Sequence, residues 1–523
     1  MSAGLRWRAV LLGALCIAAA AGSGSAQTAT ASAKPAAAGA PTREAVARAD
    51  SLYAAGDRAA AARAFREVLA RDPENSHATF RVAQLSHDPA ERIALYRRYV
   101  KLEPDDPWGY MALGDALSRR RRSGEALHEY DEALRLAPKE RDAIIGRARV
   151  LARAGRLEQA DSTYEAWLTA HPGDMEALRE LGRAELRAGR PAAAVRALEQ
   201  AGADSASGTA RLLRQAHGEA APAFEPTAGG SRDSDDDHTT RYGLRGDFAV
   251  SDGTRLGLMA ERVRVADPVD LAHADRAALT LALRPSSTVR LDASAGGVRL
   301  TRLAPPLQEL TTPIGSVRLR WRSPDGSPAL DLSAQRAPVD ASPLLVANHV
   351  LRDEVVLRGE IPAGPLRLRG EGRAASVQAG SERNTRTALS AIVAVPLSWR
   401  LELSGQFHRM GYDHATTAGY FAPRRVETME AGTYLELGDG APFTLALDLG
   451  AGVERLADQG APISPWRRAL RMYGYAAATI TPGTRLQLEM EGYDSPIAGE
   501  AVTTSGAGWR YGSVGVSLRV ATR

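Results

Sequence analysis

A chain of 523 residues has room for two or three domains, and a formal charge of only +4 excludes the concentrated basic face that a nucleic-acid binder needs. A single cysteine excludes a disulfide framework. Residues 1–26 read as a secretory signal: Arg6 and Arg8 precede the apolar run Val10 to Ala21, which is short for a bilayer crossing, and Gly24-Ser25-Ala26 sets cleavage before Gln27. Cys16 lies inside this run. Leu15 before it departs from the small residue that a lipidation site wants, although lipidation stays open as an alternative. Residues 27–42 form an Ala/Pro-rich linker. No later apolar run is long enough for a transmembrane helix.

A repeat follows. Pro73, Pro104, Pro138 and Pro172 are spaced by 31, 34 and 34 residues, each just past a run of helical periodicity. A 34-residue period of paired helices is the tetratricopeptide signature. The unit from Pro107 carries Gly114, Ala126, Tyr130, Ala133 and Pro138 at the small, small, aromatic, small and turn positions. Leu151, Gly155, Ala160, Tyr164 and Pro172 match it in the next unit, and Leu52, Gly56, Ala61, Phe65 and Pro73 in the first. A fifth unit shows Gly182, Gly189 and Ala194, and the second is shortened. Five units over residues 43–217, closed by a helix at Thr209 to His217, are expected as an α-solenoid. Asp233, Asp235, Asp236 and Asp237 then read as a solvated loop, or as an external calcium site without EF-hand spacing.

From Thr240 onward the period changes to two. Val317, Leu319 and Trp321 oppose Arg318, Arg320 and Arg322. Leu366 and Leu368 oppose Arg367, Arg369, Glu371 and Arg373. Trp399, Leu401, Leu403 and Phe407 oppose Arg400, Glu402, Gln406 and His408. Leu486, Leu488 and Met490 oppose Arg485, Glu489 and Glu491. Alternation of this kind marks strands with one apolar face. Connections alternate between tight ones and longer ones, the longer near 267–274, 301–311, 338–349, 379–384, 414–423, 457–465 and 495–506, the pattern of a transmembrane antiparallel β-barrel with short turns at one end. Fifteen strands are clear. An even count requires one more, placed at Ala223 to Ser231, which gives a barrel of about sixteen over residues 218–523. Such a barrel encloses an aqueous lumen. Arg318, Arg320, Arg367, Arg369, Glu371, Arg400, Glu402, Gln406, Arg485, Glu489 and Glu491 are its lumen-facing candidates; they either neutralise one another or touch a substrate. The last strand ends Val520-Ala521-Thr522-Arg523 rather than in the aromatic residue many bacterial barrels carry.

Two loops carry a family resemblance. Arg336-Ala337-Pro338-Val339-Asp340-Ala341-Ser342-Pro343-Leu344-Leu345 resembles the Arg-Pro-Val-Thr-Asp-Ser-Leu-Leu loop of the cellulose-synthase-operon outer-membrane protein's C-terminal domain. Gly419-Tyr420-Phe421-Ala422-Pro423-Arg424-Arg425 resembles that family's Gly-Tyr-Phe-Ser-Pro-Gln segment. The extra Ala337 and Pro343, an Arg in place of Gln, and only five repeats are departures from the family pattern. The resemblance implies a sixteen-stranded exporter of cellulose or a related β-glucan in the bacterial outer membrane. Its repeats would lie in the periplasm and dock synthase components or the polymer. Arg336, Asp340, Ser342, Tyr412, Tyr420, Phe421 and Arg424 become candidate exit residues: the aromatic rings would stack on sugars and the arginines bind hydroxyls. The alternative at each is a loop-holding role.

No Gly-x-Ser-x-Gly elbow, P-loop or His-Glu-x-x-His occurs, and the ten histidines are scattered, so neither enzyme, cofactor nor metal is expected. The competing reading is an outer-membrane-anchored interaction module without transport.

Overall fold

The computed structural model describes residues 40–202, 208–305, 307–324, 327–398, 400–438, 442–481, 483–495 and 509–522. The signal segment with Cys16, most of the linker, Trp399 and nearly all of the expected loop at 495–506 lie outside the described residues.

The helical part is five antiparallel pairs and a final helix. In order these are α1 (Ala40–Ala54), α2 (Arg58–Arg71), α3 (Ser76–Leu85), α4 (Pro89–Leu102), α5 (Pro107–Arg119), α6 (Ser123–Leu136), α7 (Arg141–Arg153), α8 (Leu157–Ala170), α9 (Met175–Ala188), α10 (Pro191–Gln200) and α11 (Thr209–Ala220). Asp57, Asn75, Asp88 and Asp106 each accept a backbone N–H of the helix they precede, which fixes four starts. The residues at the repeat positions are the core: Ala61, Phe65, Ala126, Tyr130, Ala160 and Tyr164 are all buried. Tyr130 shows the packing logic. Its ring lies against Gly114 in its own unit and Gly146 in the next, where a methyl group would collide with it, and its hydroxyl donates to Asp115 at 2.9 Å. Glycine at 114 and 146 is therefore what admits a tyrosine between helices.

The turn inside each pair differs between units. Gly56 and Gly155 take φ of 83° and 76°, a left-handed conformation that costs glycine little. Arg121 takes φ of 60° in the corresponding turn of the third unit. Between α8 and α9, Asp174 accepts hydrogen bonds from Arg141 (2.8 Å), Trp167 Nε1 (2.9 Å) and the Ala177 N–H (3.1 Å). Donation from Arg141, then Trp167 and Ala177, holds its carboxyl well below the usual carboxylate range against the opposing effect of burial.

The second unit is a closed barrel of sixteen strands, each paired antiparallel with its sequence neighbours. They are β1 (Ala223–Asp233), β2 (His238–Ser251), β3 (Thr254–Ala266), β4 (Leu271–Leu283), β5 (Val289–Arg302), β6 (Gln308–Arg322), β7 (Ala329–Pro338) and β8 (Leu351–Ala363). After these come β9 (Leu366–Ala379), β10 (Glu382–Pro396), β11 (Leu401–Tyr412), β12 (Arg425–Leu437), β13 (Phe443–Ala457), β14 (Arg467–Thr481), β15 (Thr484–Tyr493) and β16 (Tyr511–Ala521). The strand required at Ala223 to Ser231 is β1, and it closes the barrel by pairing with β16. One loop expectation is corrected. Residues 379–384 do not form a long loop: β9 and β10 are joined by Gly380–Ser381 alone, with Glu382 and Arg383 already paired to Ala379 and Gln378. Glycine at φ 58° allows the tight reversal, and the polar run that resembled a loop continues the ladder.

Alternation sets two unlike faces. Leu258 and Leu279 are 62% and 65% exposed, and Val317, Leu319 and Trp321 also point outward, while Arg318, Asp331 and Glu402 are turned in. A surface this apolar is costly in water and suits lipid. Phe224, Phe248, Trp321 and Phe443 stand outward beside the short turns, as an aromatic girdle does at a membrane boundary. Among the described residues no helix is long and apolar enough to cross a membrane.

Candidate functional site

The inner face of the barrel begins with a layer of ion pairs. Arg369 donates both terminal nitrogens to Glu402 at 2.8 Å each and its Nε to Glu360 at 2.8 Å. Arg367, half exposed, stands 3.7 Å from the same Glu402. Arg318 pairs with Asp331 at 2.7 Å, and Arg320 with Asp292. Glu371 is shared by Arg358 and Arg373. Across β12 to β14, Arg471 contacts Glu430 and Asp448 at 3.2 Å each. Gln406 donates to Ser404 at 3.1 Å and Arg485 to Tyr475 at 2.9 Å; Glu489 and Glu491 are half-buried on the inward side of β15. Arg400 sits exposed in the turn before β11, its carbonyl accepting from the Glu436 N–H at 2.8 Å. Most of these inward charges thus have an opposite partner, so the wall is polar with little net field.

A loop crosses this interior. Residues 339–350 leave β7, form the short helix α12 (Pro343–Ala347), and return to β8. Ser342 caps α12 through the Leu345 N–H, and Pro343 occupies its first turn. Val346 packs with Val263, Val265, Ala272, Ala274, Val298 and Leu300 from β3, β4 and β5. Leu345 and Val350 pack instead with Val377, Met410, Tyr412, Tyr420, Val426 and Leu456, on β9 and β11 to β13 and the loop between. One helical turn therefore touches walls far apart around the barrel. Asp340 anchors it through a buried ion pair with Arg276 of β4, which also contacts Glu261 at 2.8 Å. Breaking such a pair from one side leaves a buried charge unmatched.

The structure brings the two motif loops together. Asn348 Nδ2 donates to the Ala418 carbonyl at 2.9 Å. Gly419, at φ 95°, lies so close to Leu344 that a side chain would displace it. Tyr412 and Tyr420 are buried with ring centres 5.5 Å apart, and Phe421 packs at the edge of their cluster. Arg424 donates to the Ala461 carbonyl at 3.2 Å from an exposed position. Arg336 is set apart from the rest. It lies on the outward side of β7, 3.4 Å from Asp353. Sequence reasoning missed Arg276, whose chain neighbours Ala274, Ala277 and Ala278 gave no sign of a buried cation. In the acidic run, Asp233 accepts the N–H groups of Asp235 and Asp237 and Trp509 Nε1, so it organises a turn.

These two parts, tetratricopeptide repeats and a sixteen-stranded barrel consistent with an outer-membrane protein, define the class of the chain. A tetratricopeptide-repeat family model matches residues 46–107, 111–174 and 145–210. No curated protein matches the chain. Among solved structures it is similar to a MamA protein at 24% identity and TM-score 0.28, covering 32% of this chain and 94% of that one. It is also similar to PilW, a widely conserved type IV pilus biogenesis factor, at 19% identity and TM-score 0.30, covering 34% and 92%. A third is YrrB, a tetratricopeptide protein with an unusual peptide-binding site, at 18% identity and TM-score 0.27, covering 30% and 82%.

Proposed function

We propose that this protein is an outer-membrane channel for export of a polysaccharide, cellulose or a related β-glucan, with its repeats in the periplasm docking synthase components or the polymer. The observation that carries the reading is the inward loop at 339–350. It joins both sequence motifs at one level of a polar-lined barrel, where a neutral polymer would pass. The paired inner charges suit such a cargo, because they offer hydrogen bonds without attracting ions strongly. In this reading Asp340 and Ser342 hold the loop, and Tyr412, Tyr420 and Phe421 stack on sugar rings once it moves. Arg424 meets hydroxyls at the rim, and Arg336 braces it. The inward side chains serve as ion pairs and loop anchors, which suits a conduit and scaffold. Repeat arrays are general protein-binding surfaces, which supports protein partners on the other half.

Single-channel conductance of the refolded full chain in planar bilayers tests this. The wild type is expected to be mostly closed. Asp340→Ala is expected to open it, and β-glucan oligosaccharides to block the open state. If the variant stays closed, or sugars leave its current unchanged, the export reading fails. The anchored interaction module then stands, to be pursued by capture of a partner on the repeats.

A further inference from the structure

The outward face of the barrel is not apolar throughout. Phe224, Phe248, Trp321, Ile361, Phe443 and Ile480 occupy it beside the short turns. Toward the opposite end, charges replace them. On β11, β12 and β13 the register sets Arg409 opposite Glu427 and Glu427 opposite Arg455. Met429 and Val453, two residues away on the same faces, are exposed, so this row points to the outside. Arg425, two residues before Glu427, shares the side.

The row forms a cluster with an imbalance. The Glu427 carboxylate lies 2.7 Å from Arg455, 3.9 Å from Arg425 and 4.0 Å from Arg409. Arg455 donates to it and stacks over the Trp466 ring at 4.5 Å. The Glu427 side chain is 8% exposed, whereas those of Arg409 and Arg425 are 53% and 41% exposed. Among the described residues neither of these two guanidiniums donates a hydrogen bond. Three guanidiniums against one carboxylate leave an excess of two positive charges. Unmatched charge beside hydrocarbon is expensive. A phosphate monoester carries roughly −1.5 to −2 near neutral pH and accepts the forked donors of arginine. Charge and donor geometry therefore match.

We propose that Arg409, Arg425 and Arg455, with Trp466 beside them, form a binding site for the phosphate of an anionic lipid in the membrane half next to the long loops. The proposal rests on the membrane placement of the barrel and not on what the barrel transports. Glu427 spaces the arginines and keeps them splayed, and the lipid phosphate completes the neutralisation. A lipid held there fixes the depth of the barrel at β11 to β13, of which β11 and β12 flank the loop carrying Tyr420.

The test is native mass spectrometry of the full chain in detergent, with bisphosphorylated lipid A as probe and the same lipid without phosphates, or inorganic phosphate, as comparators. The wild type is expected to retain the bisphosphorylated lipid. Removing the phosphates, or making Arg409→Gln with Arg425→Gln, is expected to cut retention by at least about tenfold, the value of one or two charged hydrogen bonds. Glu427→Gln raises the net charge and is expected to strengthen retention. Equal retention by wild type and double variant, both verified as folded by heat-dependent gel migration, overturns the proposal. So does full displacement by millimolar inorganic phosphate, which marks a general anion site. Failure of the wild type to insert into liposomes sinks the membrane reading itself, and insertion without lipid preference sinks only this site.

Discussion

The two halves of this protein solve opposite solvent problems with similar residues. In the repeats, Phe65, Tyr130 and Tyr164 are buried, and most arginines are exposed. In the barrel, Leu258, Leu279 and Val317 face outward and Arg276, Arg358 and Arg471 are enclosed. Helical periodicity permits one apolar stripe that a neighbouring helix covers. Strand periodicity permits two faces, and closing the sheet decides which one meets lipid. The contrast teaches that burial alone does not identify a core: the same leucine is a stabilising interior group in one half and a membrane contact in the other.

Substitutions that exploit this contrast should separate the halves. Tyr130→Ala removes the wedge between Gly114 and Gly146 and should cost about 3–5 kcal/mol, seen as an earlier helical transition in far-UV circular dichroism with the β-sheet transition unmoved. Leu258→Arg should cost about 2–4 kcal/mol if that face meets the bilayer interior, measured by urea titration of refolding into liposomes. A barrel whose outer face met water would lose almost nothing, and that result would erase the contrast.

Acid probes the repeats through Asp174. Asp174 has its pKa lowered in the fold, so its contribution is fully present above its unfolded value near 3.9. That contribution is lost as pH falls through the folded value. Below about pH 4 the helical transition should weaken in the wild type, and Asp174→Asn should flatten that dependence while lowering stability at neutral pH. The smallest effect concerns Arg121, the non-glycine residue at φ 60°. Arg121→Gly relieves left-handed strain of about 1–2 kcal/mol against roughly 0.5–1 kcal/mol of added chain entropy. The helical transition should rise by a degree or a few in calorimetry, roughly the shift a fraction of a kcal/mol produces.

Legibility in the sequence followed the range of the interaction. The prolines at a 34-residue period and the alternation of residues 317–322 are local signals, and both elements formed where they pointed. The strand at Ala223–Asp233 was inferred from parity because Pro226, Gly229 and Gly230 obscure its alternation. Glu382 and Arg383 misled because a polar run reads alike in a loop and on a barrel strand. Asp340 and Ser342 stood out as motif residues, but their burial depended on Arg276, 64 positions from Asp340. The row Arg409, Glu427 and Arg455 was invisible because it exists only across three strands in register.

The seam between β1 and β16 has a kinetic consequence. Thr522 donates to the Pro222 carbonyl across 300 positions of sequence, and Ala223 pairs with Ala521 beside it. No such contact can form until the last strand has been delivered, so the seam is the slowest kind of pairing to nucleate. The helical pairs, whose partners are close neighbours in the chain, need not wait. Until closure, β1 and β16 are both open edges able to recruit other strands. An escort that shields those edges should therefore matter more to the yield of this protein than any aid to its repeats.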